Sequence, residues 1–252
     1  MKDATLKASG SEAFAMEGLN TTSLFDSTLE GACPASSQND NIQWNVICYQ
    51  SMSGDSTTGT GRFNMVGGTL TADEGGMFFG TNTDAEFYIK GVTLVPSAAN
   101  PFLLRATGIS RWSNSYSAMK THFTAEDQTM SGDIIHDTMS GLTVDLVGST
   151  TWTGASIVST SYTGSKTSTI NLGSNAKWIV TGDSTITNLY NAGTIVDASG
   201  NTVTIKANGS TVVTGTSSYT ITVTSTYATT DKTSAALTAP TFKALPDFPS
   251  SL

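Results

Sequence analysis

The sequence predicts an all-β solenoid, in which short strand-containing coils stack on one another. An internal repeat is the first observation, because Arg62–Leu70 and Glu86–Leu94 carry one pattern 24 positions apart. Apolar and other residues alternate within each copy, which is typical of short strands with one buried face. Eight residues after the leucine that ends each copy lies a second apolar patch, Met77–Phe79 and Phe102–Leu104. Because one unit cannot bury its apolar face alone, the units must stack.

The repeat extends to both sides of these two copies. Upstream, Thr22–Leu29 has the same pattern, with Asp26 where the later copies have Gly67 and Gly91. Downstream, Phe123–Met130 fits, and two looser copies are each followed by a tryptophan, Trp152 and Trp178. A Gly or Asp that breaks the alternation suits a residue with positive φ, so we expect the chain to turn a corner there.

This pattern predicts which side chains form the core. In each strand the alternate apolar residues should point inward, and equivalent residues of neighbouring copies should stack. We therefore predict inward-facing side chains at Phe63, Met65, Phe87, Ile89 and Leu94, with stacked pairs of Leu70 over Leu94 and Phe78 over Phe102.

The chain divides into one solenoid domain, residues 1–225, and an irregular tail, residues 226–252. The strand pattern lapses after Thr226, and three prolines interrupt the last 25 or so residues. The tail carries three large apolar residues, which we expect to pack over an open end of the solenoid as a cap: Phe242, Leu245 and Phe248.

Composition excludes several classes of function. The formal net charge is −8 and charged residues make up 13% of the 252 residues. Nucleic acid and anionic membrane surfaces both need clustered Lys and Arg, so neither is an expected partner. No apolar run is long enough for a transmembrane helix, so membrane insertion is not expected. A low-charge surface rich in Ser and Thr instead suggests an extracellular or cell-surface location.

The N-terminus begins directly in the repeat pattern. Met1–Asp3 leads into Ala4–Leu6 without the apolar core of a signal peptide. Either a signal has been removed or the chain is part of a longer solenoid, and the missing polar cap favours the second interpretation. The backbone of Ala4–Ser9 would then be an unpaired edge, and we predict that another β-helix chain associates with it or that a partner covers it.

The two cysteines, Cys33 and Cys48, leave two interpretations. They lie 15 positions apart, and Cys33 begins the insertion Cys33–Trp44 that precedes Cys48. They could be two buried free thiols, or they could form a disulfide across the insertion. The extracellular character of the surface favours the disulfide.

The chain resembles the right-handed parallel β-helix of pectate-lyase-like and adhesin-like proteins. The stretch Tyr49–Asp55, the repeats at Phe63 and Phe87, and the segment Trp178–Ser184 are similar to a group of large secreted β-helical surface proteins. The resemblance covers most of residues 4–215 and implies an adhesive or structural role. Its motifs describe the fold and carry no catalytic assignment.

Parallel β-helices also include polysaccharide lyases and hydrolases, so catalysis has to be considered. Asn82-Thr83-Asp84 resembles a fragment of a polygalacturonase site, but the paired Asp-Asp, Gly-His-Gly and Arg-x-Lys of that family are missing. The triplet falls where a turn is needed, and Asn and Asp favour turns. Glu126 and Asp127 are adjacent, so in a strand they would point to opposite faces. His122 and His136 are 14 positions apart, without the spacing of a metal site, and no cofactor or metal is expected.

Binding is therefore expected where insertions leave the solenoid. The loops 53–61 and 106–121 occupy equivalent points of the repeat, so they should emerge on one side and flank a shallow saddle. The sequence places five residues at this saddle as ligand-binding candidates, for a neutral glycan or a protein partner: Asp55, Asn82, Arg111, Trp112 and Tyr116. Aromatic rings in and beside the insertions, including Trp44, could be sugar platforms or could simply cover loop bases.

Three classes of function remain. The first is a non-catalytic extracellular surface or structural protein, an adhesin-like β-helix that binds glycans or assembles end to end. The second is a carbohydrate-active β-helix enzyme, a lyase or hydrolase with a noncanonical site. The third is an ice-binding threonine array, suggested by Thr202-Val203-Thr204 and Thr220-Ile221-Thr222, which the irregular coil lengths oppose.

Overall fold

The computed structural model describes residues 1–35, 41–111 and 119–243. Four residues used in the sequence predictions lie outside these ranges: Trp112, Tyr116, Leu245 and Phe248. The described residues form 24 β-strands and one short 3₁₀ helix, Thr233–Ala235. The chain is an all-β parallel β-helix, which confirms the predicted fold class.

The strands are short, as expected for coils that turn at Gly, Asp and Asn. In chain order they are β1 (Thr5–Ala8), β2 (Phe14–Glu17), β3 (Thr21–Phe25), β4 (Thr28–Ala32), β5 (Val46–Tyr49), β6 (Gly61–Val66), β7 (Thr69–Glu74), β8 (Phe78–Gly80), β9 (Ala85–Lys90), β10 (Thr93–Val95), β11 (Leu104–Ala106), β12 (Lys120–Glu126), β13 (Thr129–Ser131), β14 (Ile134–His136), β15 (Gly141–Val147), β16 (Thr151–Gly154), β17 (Ser156–Val158), β18 (Ser168–Leu172), β19 (Lys177–Val180), β20 (Ser184–Asn191), β21 (Thr194–Asp197), β22 (Thr204–Ala207), β23 (Ser210–Val213) and β24 (Thr220–Ala228).

Each complete coil visits three faces in the same order. The first face is a ten-stranded sheet, ordered β23-β22-β24-β20-β18-β15-β12-β9-β6-β3. The second consists of two four-stranded sheets, β1-β4-β7-β10 and β13-β16-β19-β21, and the third is a six-stranded sheet, β17-β14-β11-β8-β5-β2. Neighbouring strands pair in parallel, except that β22 and β23 form an antiparallel hairpin.

The core consists of stacked ladders along the solenoid. Phe63, Phe87 and Phe123 occupy one register position on β6, β9 and β12, and all three are fully buried. Leu70 lies beside Leu94, as predicted, although Leu94 is only partly buried. These ladders confirm the repeat that the sequence shows at residues 62–94.

One predicted pair was wrong, since Phe78 aligns with Leu104 and not with Phe102. The chain bends at Leu103 before β11 begins, and the Phe102 carbonyl accepts a hydrogen bond from Met77 N at 3.0 Å. The ring of Phe102 belongs instead to a second apolar cluster with Trp44 and Ile47 on the outer face of the six-stranded sheet.

The corners between the first and second faces have left-handed backbone, as the breaks in alternation predict. Asp26, Gly67 and Gly91 have φ of 47°, 66° and 58°, and Asp127 and Gly148 have 48° and 61°. A Cβ on Gly67 would lie 2.5 Å from Asp26 Oδ1, and one on Gly148 would lie 2.2 Å from Asp127 Oδ1. An aspartate at one corner therefore requires glycine at the next.

Trp152 and Trp178 continue the core where the phenylalanine ladder ends. Their rings stack with centroids 4.6 Å apart and an interplanar angle of 17°, and both are fully buried. Trp152 Nε1 donates to the Gly132 carbonyl and Trp178 Nε1 to the Gly154 carbonyl, at 2.9 and 2.8 Å. Each buried indole N–H is thus satisfied by the preceding coil.

Capping of an open end by Phe242, Leu245 and Phe248 stays a prediction, because Leu245 and Phe248 lie outside the described ranges. At the C-terminal end of the solenoid the β22–β23 hairpin is the edge of the ten-stranded sheet. From there residues 229–243 turn back along the outer face of this sheet, where Leu237 N donates to Thr124 Oγ1 at 3.0 Å and Phe242 packs against Phe25 at 5.4 Å. At the other end β1, β2 and β3 are edge strands. Association at that edge stays a prediction.

The two cysteines are free thiols, so the predicted disulfide is not formed in this structure. Cys48 faces the solenoid core from β5, whereas Cys33 follows β4 on a different face. Burial raises the pKa of both thiols. The alternative interpretation, two buried thiols, is the one that the structure shows.

Candidate functional site

The long loops emerge where the sequence places them. Loops 50–60 and 107–119 both lead from the six-stranded to the ten-stranded sheet, and the short connection 81–84 lies between them. The structure adds a third long connection at the same point of the repeat, residues 159–167 between β17 and β18. This third loop was not predicted from the sequence, although the polar run Ser159–Thr167 is a usable signal for it.

Asn82 serves as a turn residue, as the local sequence predicts. It has φ of 59°, and its Nδ2 donates to the Gln50 carbonyl at 2.6 Å. Thr83 Oγ1 donates to the Gly59 carbonyl at 2.7 Å. The triplet Asn82-Thr83-Asp84 therefore attaches loop 50–60 to the next coil, which explains these residue types without catalysis.

Asp55 and Arg111 have different environments. Asp55 is exposed in loop 50–60 and accepts a hydrogen bond from Ser53 Oγ. The Arg111 guanidinium lies over the Trp44 ring, 4.9 Å from its centroid, and Trp44 packs against Phe79 with centroids 5.4 Å apart. Trp44 is 5% exposed, so it covers the base of a loop. Ligand binding by the five predicted residues stays a prediction, with Trp112 and Tyr116 outside the described residues.

A groove lies at the start of β12, β15 and β18, between the ends of loops 107–119 and 159–167. We call it the lysine groove. Its volume is about 380 Å³, and its lining residues are Asp84, Met119, Lys120, Gly141, Leu142, Thr143, Lys166, Thr167 and Thr169. It lies farther toward the C-terminus than the predicted saddle, because its walls come from the second and third long loops.

The lysine groove is cationic within an acidic protein. Asp84 Oδ1 accepts a hydrogen bond from the Lys120 backbone N–H at 2.9 Å. In the described ranges neither Lys120 nor Lys166 has an acidic side chain within ion-pair distance. Thr143 and Thr169 are register partners on β15 and β18. The lining therefore combines two exposed lysines and three threonines with Met119 and Leu142, whose side chains are almost fully buried.

A polar network adjoins the groove on the outer face of the ten-stranded sheet. His122, the register partner of Thr143, has its Nε2 2.6 Å from Asp145 Oδ2. Asn171 Nδ2 donates to Asp145 Oδ1 at 2.6 Å, and Asp145 is fully buried. Both oxygens of this carboxylate are occupied, so Asp145 is suited to orient the His122 imidazole.

The remaining acids on this face form structural pairs. Glu86 accepts from Arg62 Nε at 2.6 Å. Glu126 accepts from Lys90 Nζ and from the Tyr88 hydroxyl, both at 2.5 Å, while Asp127 turns the corner beside it. The hydrogen bond from Lys90, followed by that from Tyr88, lowers the pKa of the Glu126 carboxyl.

Comparisons with protein-family models, curated proteins and solved structures gave no match. Within the described ranges, no group of three His, Cys, Asp or Glu side chains is placed to hold a metal ion. The same residues include no helix with the length and apolar character needed to cross a bilayer. Function has to be argued from the groove and its surroundings.

The Glu126 pair predicts a dependence of stability on pH. Because the folded pKa lies below the ordinary 4.5, the ionised group stabilises the fold above that value, and this contribution is lost as pH falls through the folded pKa. We expect the free energy of unfolding, measured with urea, to fall less between pH 7 and pH 3 in Glu126→Gln than in the parent. Glu12→Gln, at a surface hydrogen bond to Ser11, is the matched control. An unchanged pH dependence in Glu126→Gln would contradict the assignment.

Proposed function

We propose that the chain is a non-catalytic, extracellular, adhesin-like β-helix that binds a glycan in the lysine groove. The observation that carries the proposal is the lining of this groove, with two lysines and three threonines around about 380 Å³. Sugar rings present hydroxyls that such polar side chains bind by hydrogen bonds. The rigid parallel scaffold holds these groups in fixed positions.

The environment of the acidic residues supports a non-catalytic role. A glycoside hydrolase uses two carboxyls that face one substrate, and the acid of the pair has a raised pKa. Here Asp84 lines the groove and accepts a backbone N–H, and Glu86 and Asp145 are engaged with Arg62 and His122. These contacts use the carboxylates as structural acceptors and fix their positions.

Replacing the two groove lysines tests the proposal. We expect Lys120→Ala/Lys166→Ala to lower retention on an immobilised polysaccharide panel by about tenfold or more, since hydrogen bonds to charged groups contribute about 1.5–3 kcal/mol each. The melting temperature should be nearly unchanged, because both side chains are exposed. Lys177→Ala/Lys206→Ala, at two lysines away from the groove lining, should bind like the parent. Equal retention by all three proteins would refute glycan binding at this site.

A second candidate is a carbohydrate-active enzyme, favoured by the His122–Asp145–Asn171 network beside the groove. An oriented imidazole can act as a general base or acid. A reducing-sugar and unsaturated-product assay on the same panel separates the two functions. Turnover by the parent that His122→Gln abolishes would establish the enzyme, whereas binding without turnover supports the first proposal.

A further inference from the structure

The tail runs across the strands of the ten-stranded sheet, from the C-terminal coils of the solenoid to the N-terminal coils. Three contacts mark its path: Lys232 Nζ over the Tyr190 ring at 5.8 Å, Leu237 N to Thr124 Oγ1 at 3.0 Å, and Phe242 against Phe25 with centroids 5.4 Å apart. From β20 to β3 the sheet has six strand-to-strand steps. At about 4.8 Å per step this is roughly 29 Å. Ten residues span at most about 33–36 Å when fully extended, and the 3₁₀ helix Thr233–Ala235 shortens the segment from Lys232 to Phe242 toward the required distance.

Beneath the tail lies a polar ladder at one outward-facing register position. Tyr88, Thr124, Asp145 and Asn171 are successive partners on β9, β12, β15 and β18. They are 0%, 0%, 0% and 5% exposed, although they point away from the solenoid core. The tail passes over this row, since Leu237 binds Thr124 and the 3₁₀ helix contacts β15, and we call the tail and the ladder together the tail groove.

Three of the four ladder residues make hydrogen bonds that do not involve the tail, and Thr124 is the exception. Tyr88 donates to Glu126, and Asp145 accepts from His122 and Asn171. Among the described residues, one hydrogen bond joins residues 232–243 to the sheet, from Leu237 N to Thr124 Oγ1. Lifting the tail would therefore break few directional contacts and would leave the buried carboxylate of Asp145 paired.

We propose that the tail groove is an exchangeable docking surface, and that a second copy of this chain can supply the tail that fills it. Each copy carries both the groove and the segment that fits it, so an opened tail finds in another copy the contacts that it left. Reciprocal exchange buries the same residues as the closed monomer and needs no new interface, which is the usual basis of domain swapping. The tether gives the chain's own tail an effective concentration on the order of millimolar, so exchange is favoured where copies are crowded.

Cross-linking between different chains tests the proposal. One full-length variant carries Thr124→Cys and another carries Leu237→Cys, and the two are mixed under mild oxidation. We expect a disulfide-linked heterodimer whose yield rises with protein concentration. The native thiols interfere little, because Cys33 and Cys48 are both buried. Thr153→Cys, on the outward side of β16 in a different sheet, replaces Thr124→Cys in the control and should give no such product.

The double variant Thr124→Cys/Leu237→Cys in one chain reports whether the tail is seated. Formation of its internal disulfide without any heterodimer in the mixture, up to about millimolar protein, would show a permanently closed tail and overturn the proposal. A labelled peptide of residues 229–243 provides a second measurement on a chain that ends at Ala228. Saturable binding to this shortened chain, competed away in the full chain, is expected, and failure of the peptide to bind a folded shortened chain would also overturn exchange.

Discussion

Replacing Phe87 with Ala should lower the free energy of unfolding by about 3–5 kcal/mol. Phe87 is fully buried, and its ring lies 5.7 Å from that of Phe78 and 6.4 Å from that of Phe123. The stacked coils fix the neighbouring backbone, so the cavity that the alanine leaves can shrink only a little. The loss of stability rises with the volume of the cavity that remains.

The matched control is the same substitution in the tail. Phe242 is 44% exposed and makes an edge contact with Phe25, so Phe242→Ala should cost well under half as much. Urea unfolding followed by far-UV circular dichroism measures both. A loss at Phe87 no larger than the loss at Phe242 would mean that the aromatic ladder is not the centre of the core.

Replacing Gly68 with Ala should also lower the free energy of unfolding strongly. Gly68 has φ of 79°, and an added Cβ would lie 2.0 Å from the Ser27 carbonyl oxygen. That atom is backbone in the adjacent coil, so the two coils would have to separate at the corner. A left-handed non-glycine residue alone costs roughly 1–2 kcal/mol, and the collision adds to this.

The variant Gly91→Ala separates the cost of left-handed backbone from the cost of the collision between coils. Gly91 also has positive φ, 58°, but a Cβ there would meet nothing within 4 Å. We therefore expect Gly91→Ala to lose only the backbone part, about 1–2 kcal/mol, and Gly68→Ala to lose measurably more. Similar losses at both positions would show that the approach of the coils at Gly68 is not limiting.

The fold could be predicted from the sequence because each coil repeats the same pattern of apolar strand residues and corner residues. Phe63 and Phe87 reveal the period, and Gly67, Gly91 and Asp26 reveal the corners, since left-handed backbone restricts the choice of residue. Phe102 was misassigned because period alone does not show where a strand begins. A bend one residue later turned its ring to the outer face.

Much less of the candidate site could be predicted from the sequence. Loop positions followed from the repeat, but the lysine groove depends on Lys120 and Lys166, which are 46 positions apart and look like ordinary surface lysines in the sequence. The cysteines show the same limit, because spacing does not reveal that Cys33 and Cys48 belong to different faces. The path of residues 229–243 along the outer face of the sheet could not be predicted either, since nothing in their composition shows that the chain turns back.

The position of the tail also determines when its contacts can form during folding. Strand partners are close in sequence, for example 19 positions between Thr169 and Asn188 and 41 between Thr21 and Arg62. Such contacts allow coils to add one after another, with little loop-closure entropy at each step. The bond from Leu237 to Thr124 spans 113 positions. It can form only after the coils that precede it exist, so during synthesis Thr124 and its neighbours on the ten-stranded face stay uncovered by the tail until the residues around Leu237 emerge.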